Sequence, residues 1–274
     1  NWMMQYGQRF APDAKIVQID IDGRELGHNR NIDLGIQADA KAAMGQLLAE
    51  AEAREGEFSD RLESDWVIHL REDNDRRAEQ SAPLLNSDAQ PIHPLRLCKE
   101  IREFLDRDAI VSVDGNEILH FGRQSIPTNV PGHRLNSGVT GTMGVGLPYG
   151  IGAQLAKPDA QVLVLHGDGS MGQNAMEIDT AVRHNLPVVT VISNNAGWTA
   201  RTPGQRKPGR ELGFTAYHKM AESLGAYGEE VTDPAEIKPA LDRAYSSGKA
   251  AVINVIVEPT AAGVSRAWGG SRME

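Results

Sequence analysis

The segment from Val162 to Gly197 constrains the fold more than any other part of the sequence. Val162 to Leu165 is an apolar run too short for anything but a buried strand. Gly167, Gly169 and Gly172 then interrupt the pattern. Met171 to His184 regains helical spacing, with Met176, Ile178, Ala181 and Val182 on or near one face, and Pro187 stops that helix. Val188 to Ile192 is a second, β-branched strand. Strand, helix, strand is a βαβ unit whose crossover is expected to be right-handed, so the strands run parallel. Asp168 therefore falls just past the end of one strand, and Asn194 and Asn195 just past the end of its partner.

That placement has chemical consequences. In an open parallel sheet the carboxyl ends of the strands border the binding crevice. Neighbouring strands lie about 4.8 Å apart, so oxygens from their ends can share one small cation. Mg²⁺ takes hard oxygen ligands and keeps substrate phosphates in its shell. A carboxylate from Asp168, an amide oxygen from Asn195 and a bare carbonyl after Asn195 suit it. Gly169, Ser170 and Gly172 open the helix, where unpaired N–H groups can hold a phosphate. The bland alternative is a Gly-Asp-Gly turn followed by an unrelated Asn-Asn turn. The patterned residues between them, Met-Glu-Ile-Asp-Thr at 176–180 and Asn-Leu-Pro at 185–187, argue against it.

The remaining chain sets bounds. Its 274 residues suffice for one or two domains, and a net charge of −9 argues against a nucleic-acid or membrane surface. Cys98 is the single cysteine, which excludes an internal disulfide and suits a reducing, cytoplasmic compartment. No apolar stretch approaches a transmembrane length, and Asn1 to Gly7 does not read as a signal peptide. Residues 1–50 read as the C-terminal part of a domain: a strand at Lys15 to Ile21, then a helix at Ala40 to Ala53 capped by Asp39, too little to bury a core unaided. Asp20 and Asp22 read as solvated strand-end charges in preference to ribose-binding acids, since no Gly-rich loop precedes them. Residues 51–91 are a charged connector, with a helix expected around Ser59 to Arg71 and a polar linker from Asp73 to Gln90.

From residue 92 to 274 strands and helices alternate, the pattern of a doubly wound, mainly parallel α/β domain. Pro94 opens an amphipathic helix with Cys98 on its apolar side, where a thiol packs rather than reacts. Ala109 to Val113 is a strand ending in Asp114-Gly115-Asn116-Glu117. The loop from Asn136 to Tyr149 is glycine-rich, which permits close backbone approach to a ligand or to a packed helix. Further helices are expected at Phe214 to Leu224 and Pro234 to Tyr245, and strands at Ala226 to Val231 and Ala251 to Val257. His93 and His184 lack metal-type partners and read as structural. After Gly197 comes a basic loop with Arg201, Arg206, Lys207 and Arg210, open to two readings: a solvated charge run or a substrate contact. The last dozen residues are rich in Gly and Ser and are expected to be mobile.

Gly-Asp-Gly, an interval of 27 positions from Asp168 to Asn195, and Asn-Asn together resemble the signature of thiamine diphosphate (ThDP) enzymes. The resemblance implies a ThDP diphosphate-binding domain at 92–274, preceded by a remnant of an α/β middle domain. It implies that Asp168, the Asn195 side chain and the Gly197 carbonyl bind Mg²⁺, and that Gly167, Gly169 and Ser170 lie at the diphosphate. The Asp114, Gly115 and Asn116 loop resembles a second diphosphate-side loop. Gly141 and Met143 resemble the aminopyrimidine contact, with Met143 propping the cofactor into its bent, reactive shape.

Within that family Asn1-Trp2-Met3-Met4, Gln18-Ile-Asp-Ile21, Ser137-Gly138, Met143-Gly144 and Met176-Glu-Ile-Asp-Thr180 with Arg183-His-Asn-Leu-Pro187 look most like oxalyl-CoA decarboxylases and 2-hydroxyacyl-CoA lyases. Acetolactate synthase is the close rival, since Gly141 to Pro148 suits it equally well, but its Leu-Gly-Met after Asn-Asn is absent here. The CoA decarboxylases carry a tyrosine where Thr199 stands, a departure at a catalytic position, and an arginine near CoA where Arg123 stands. Arg123, Arg201, Arg206 and Lys207 are thus expected to select an acyl-CoA over a free 2-keto or 2-hydroxy acid. ThDP enzymes ionise the cofactor with a glutamate from a pyrimidine-binding domain, which nothing in this sequence matches. That domain is expected from the same parent protein or a partner chain, in a homo-oligomer, dimer or tetramer, of the full enzyme. A non-catalytic ThDP-binding subunit is the other reading.

Overall fold

The computed structural model describes residues 10–57, 62–198 and 208–261, which fall into two compact units divided between Arg76 and Arg77. In the first unit β1 (Val17–Asp20) pairs in parallel with β2 (Leu34–Gln37), and α1 (Ala40–Ala53) follows. Asp39 caps α1 as expected, its carboxylate accepting from the Ala42 N–H at 3.0 Å. Only Ala43 of α1 is buried, while Met44, Leu47 and Leu48 are exposed. The strand β2 has no clear signature in the sequence because Leu-Gly-Ile-Gln is short and carries a glycine.

The stretch expected to be a polar linker is instead helical for most of its length, in α2 (Asp65–Leu85). Its residues are good helix formers laid out with little apolar periodicity, so the pattern that normally announces a helix is missing. The helix expected from Ser59 begins at Asp65 among the described residues.

The second unit is built on six parallel strands in the order β4-β3-β5-β6-β8-β7. These are β3 (Ile110–Asp114), β4 (Arg134–Leu135), β5 (Val162–Gly167), β6 (Val189–Asn194), β7 (Tyr227–Val231) and β8 (Ala251–Ile256). Strand residues alternate between two cores. Val111, Val113, Leu163, Leu165, Val191 and Ile253 pack with α3 (Pro94–Phe104), α4 (Glu117–Ser125) and α9 (Ile237–Ser246). Ile110, Val162, Val164, Ile192 and Val252 pack with α5 (Gly146–Ala156), α7 (Glu177–Arg183) and α8 (Tyr217–Ser223) on the other face. The period of two on a doubly covered sheet thus yields the expected doubly wound α/β fold.

The connections fix where a ligand can enter. From β3 the chain turns outward to β4, then crosses back over β3 to β5. That reversal opens a crevice between the carboxyl ends of β3 and β5. Register aligns Asp114 with His166 and Gly167 with Ser193, so three post-strand loops stand side by side: Gly115–Asn116, Asp168–Gly169 and Asn195–Gly197.

The helix expected over Met171 to His184 is two: α6 (Asp168–Asn174) and α7. At the break the Asn174 side-chain amide donates to the Gly144 carbonyl at 2.6 Å. Met171, Ala175, Ile178 and Ala181 stay buried at helical spacing on both sides of the break, while Met176, expected on the apolar face, lies off that stripe and is 64% exposed. Among the described residues no helix is long and apolar enough to cross a membrane.

Candidate functional site

Asp168 ends up at the floor of the crevice, 2% exposed. Its Oδ1 accepts from the Gly169 N–H at 2.9 Å and its Oδ2 from the Gly197 N–H at 2.8 Å. Burial raises its pKa to about 6, against the pull of those two donors. From the other side the Tyr217 hydroxyl, on α8, donates to the Asp168 carbonyl at 2.9 Å. Burial, and then the Asp168 charge, push the Tyr217 phenol up, so it stays a donor.

The Gly197 N–H also reaches the Asn195 Oδ1 at 3.2 Å. A carboxylate oxygen and an amide oxygen from adjacent strand ends therefore converge on one donor. The turn that does this passes through Ala196, fully buried with φ 58°. That left-handed conformation costs a non-glycine residue about 1–2 kcal/mol. Strain held in a buried turn is more common at ligand sites than elsewhere. Trp198 then donates its N–H to the Arg210 carbonyl at 3.0 Å, and Leu212 donates to the Ala196 carbonyl at 3.0 Å, pinning the segment in antiparallel fashion. Bonds from the residues flanking Gly197 leave Gly197's own N–H and C=O on the opposite edge, the edge facing Asp168.

The second loop is held by different means. Gly115, at φ 133°, packs so closely that an added Cβ would lie 3.3 Å from the Gly167 N and 3.4 Å from the Ser170 Oγ. The Ser170 hydroxyl bonds the Asp114 carbonyl and the Gly167 carbonyl, each at 3.0 Å. His166 Nδ1 lies 3.1 Å from the same hydroxyl, and burial drives its pKa down to about 3, so the ring is neutral.

Asn116, Gly115, Met143, Gly167, Asp168, Gly169, Ser170, Asn195 and Gly197 all line one cleft. Three residues expected with them do not. The Asp114 carboxylate turns away to accept from the Gly146 N–H at 2.7 Å, at the first turn of α5. Burial raises its pKa while that donor and its neighbours lower it. Gly141 is exposed, at φ 68° after a 3₁₀ turn, outside the cleft lining. Arg123 sits in the last turn of α4, which runs back from the crevice, and is also not in the lining. Thr199, Arg201, Arg206 and Lys207 lie outside the described residues. His93 is structural as expected: its Nδ1 accepts from the Leu95 N–H at 3.1 Å and caps α3.

Three residues at the cleft were not expected from the sequence. Glu117, in the first turn of α4, accepts from the Asn195 Nδ2 at 3.2 Å. Trp198 covers Gly169 so tightly that a Cβ there would stand 2.7 Å from its ring. Tyr217 comes from 49 residues away in sequence. The positions of Glu117 and Trp198, each just past a strand-end motif, carried a signal that could have marked them, and Tyr217 carried none.

The donor set can be tested against the group that the resemblance implies. Hard oxygens from Asp168 and Asn195 already converge on a partial positive charge. The buried carboxylate is held by N–H groups, which carry no full counter-charge, and this fits Mg²⁺. Among the described residues no three His, Cys, Asp or Glu side chains are grouped for a metal, so a site here has to draw on amide and carbonyl oxygen.

Comparison with known proteins gives the family. Residues 119–255 match the model of the thiamine pyrophosphate enzyme C-terminal TPP binding domain, and residues 1–47 that of the central domain. The chain is 31% identical to acetolactate synthase large subunit IlvG of Mycobacterium tuberculosis, over 96% of this chain and 48% of that protein. It is 31% identical to 2-hydroxyacyl-CoA lyase of Arabidopsis thaliana, over 95% and 48%, and 30% identical to oxalyl-CoA decarboxylase of Escherichia coli K12, over 95% and 47%. It spans about half the length of these relatives. Among solved structures, the thiamine diphosphate-dependent 4-hydroxybenzoylformate decarboxylase of Rhodococcus jostii RHA1 superposes at a TM-score of 0.56. That match has 26% identity and covers 60% of this chain and 32% of that one.

Proposed function

The chain belongs to the thiamine pyrophosphate enzymes, and from that premise we propose that it serves Mg²⁺- and ThDP-dependent cleavage or formation of a carbon–carbon bond next to a carbonyl. The observation that carries the reading is the convergence of Asp168 and Asn195 oxygens beside Gly197, in the cleft at the sheet's reversal point.

In this reading Asp168, the Asn195 oxygen and the Gly197 carbonyl hold Mg²⁺. The backbone at Gly167, Gly169 and Ser170, with Gly115 and Asn116 opposite, holds the diphosphate. Bound there, the cofactor supplies a carbanion-stabilising electron sink. The chain's own residues do the positioning. A cation beside Asp168 would supply the full counter-charge that its N–H donors do not, and so offset the penalty for keeping a buried carboxylate ionised. Tyr217 fixes the main chain of Asp168 from behind. Trp198 and Met143 line the cleft, with Met143 propping the cofactor into its bent shape. The Asp114 carboxylate holds the start of α5, and Gly141 keeps its reading as an aminopyrimidine contact. The activating glutamate is assigned to a pyrimidine-binding domain from the same parent protein or a partner chain.

For the substrate we favour a 2-hydroxyacyl-CoA or oxalyl-CoA, on the motifs at 137–144 and 176–187, with Arg123, Arg201, Arg206 and Lys207 toward the CoA phosphates and Thr199 at the acyl group. Similarity to acetolactate synthase at equal identity supports a second reading, a carboligase of free 2-keto acids. Calorimetric titration of ThDP with and without Mg²⁺ tests the shared claim. Asp168→Ala is expected to abolish the Mg²⁺-dependent binding, because it removes the only formal charge among the ligands, and unchanged affinity would refute the metal assignment. With the assembled enzyme, Arg123→Ala separates the substrates. A rise in KM confined to the acyl-CoA supports the lyase, and equal effects on a free 2-keto acid support the carboligase.

A further inference from the structure

A glutamate in the first turn of a helix is ordinary, since the helix dipole stabilises it there. The direction of the Glu117 carboxylate is not explained by that. It lines the cleft, and its Oε2 accepts from the Asn195 Nδ2 at 3.2 Å, across 78 residues of sequence. At its other end the Asn195 Oδ1 accepts from the Gly197 N–H, the donor that also serves Asp168.

An asparagine amide is nearly symmetric in shape and opposite in chemistry at its two ends. Only the oxygen can ligate a cation. Here both ends are specified. Turning the amide over would set its NH₂ against the Gly197 N–H, donor on donor, and its oxygen against the Glu117 carboxylate, acceptor on acceptor. The contact at Gly197 is shared with Asp168 and would be released when a cation took its place. The contact at Glu117 lies on the far side of the amide and would persist.

We propose that Glu117 is a positioning residue that fixes the Asn195 amide with its oxygen toward the metal site. This rests on the reading of Asp168 and Asn195 as Mg²⁺ ligands. Groups that hold a metal ligand from its far side typically affect metal affinity about 10–100-fold.

The test is a Mg²⁺ titration by calorimetry, at a fixed excess of ThDP, on the full chain. Wild type and Asp168→Ala are the references, against Glu117→Ala, Glu117→Gln and Glu117→Asp. Glutamine retains an acceptor oxygen at the same reach without the charge. Aspartate retains the charge but is one methylene shorter. Orientation by Glu117 predicts a fall of about 10–100-fold for alanine and for aspartate, with glutamine within about threefold of wild type. The glutamine and aspartate pair carries the result should the alanine variant fail to fold. Wild-type affinity in the alanine or aspartate variant overturns the proposal. So does a fall in glutamine as large as in alanine, because charge would then be the cause, and so does tighter binding in both neutral variants, which would mean that Glu117 repels the diphosphate. A wild-type chain that shows no Mg²⁺ response refutes the metal reading itself, a failure distinct from these.

Discussion

Asp168→Asn should make the metal-free protein progressively more stable, relative to wild type, as pH rises. The carboxyl is 2% exposed and its pKa is raised from 3.8 to about 6, chiefly by burial. The shift of roughly two units is worth about 3 kcal/mol at 1.36 kcal/mol per unit. Because the folded state binds this proton more tightly than the unfolded chain does, the contribution is fully present below pH 3.8 and is lost as pH rises through about 6. Asparagine does not titrate. It presents one acceptor and one donor where Asp168 accepts from both Gly169 and Gly197, a fault that costs about 1–3 kcal/mol but is the same at every pH. The difference between variant and wild type therefore isolates the proton. It should move in the variant's favour by about 2 kcal/mol between roughly pH 4.5 and 7.5. Urea unfolding in chelator at half-unit steps, followed by far-ultraviolet circular dichroism, measures it. Adding Mg²⁺ and ThDP above about pH 7 should then stabilise wild type alone, by about 2.7 kcal/mol at a hundredfold excess over Kd. A flat difference curve, or one that moves toward wild type with rising pH, would refute the buried-carboxylate account.

Packing sets two further outcomes. In Gly146→Ala the new Cβ would stand 2.6 Å from the Asp114 Cβ and 2.9 Å from the His166 Cε1, so urea midpoints should show a loss of about 1–3 kcal/mol, and a wild-type midpoint would contradict the close approach. Cys98 is fully buried with its thiol pushed up to about 12, so a thiol reagent at about pH 8 should label the chain only on unfolding, and rapid labelling of the native protein would show the core contact to be wrong.

Most of the sheet was legible because its central strands are short, continuous apolar runs bounded by turn residues, the pattern of a sheet covered on both faces. The βαβ pattern over Val162 to Asn194 alone places Asp168 and Asn195 at adjacent strand ends, and β5 and β6 do pair in parallel. Local signals failed where the helix had no apolar stripe, as in α2, and Met176 was misplaced because it sits off the stripe that Met171, Ala175, Ile178 and Ala181 form.

The same limit explains why Asp114 and Asp168 looked alike and are not. Each directly follows or ends a strand, each precedes a glycine, and each is buried. What separates them is the segment that arrives opposite. Gly146 brings its N–H to Asp114 at 2.7 Å, so that carboxylate is consumed in holding the start of α5. Gly197 brings its N–H to Asp168 at 2.8 Å on a strand end that also carries Asn195, whose oxygen shares the donor. The first arrangement closes on itself. The second leaves two oxygens, and by strand geometry a carbonyl, facing one point at the cleft floor. A motif names the residue at a strand end. Whether its charge holds a helix start or stays at the cleft depends on the loop that packs against it.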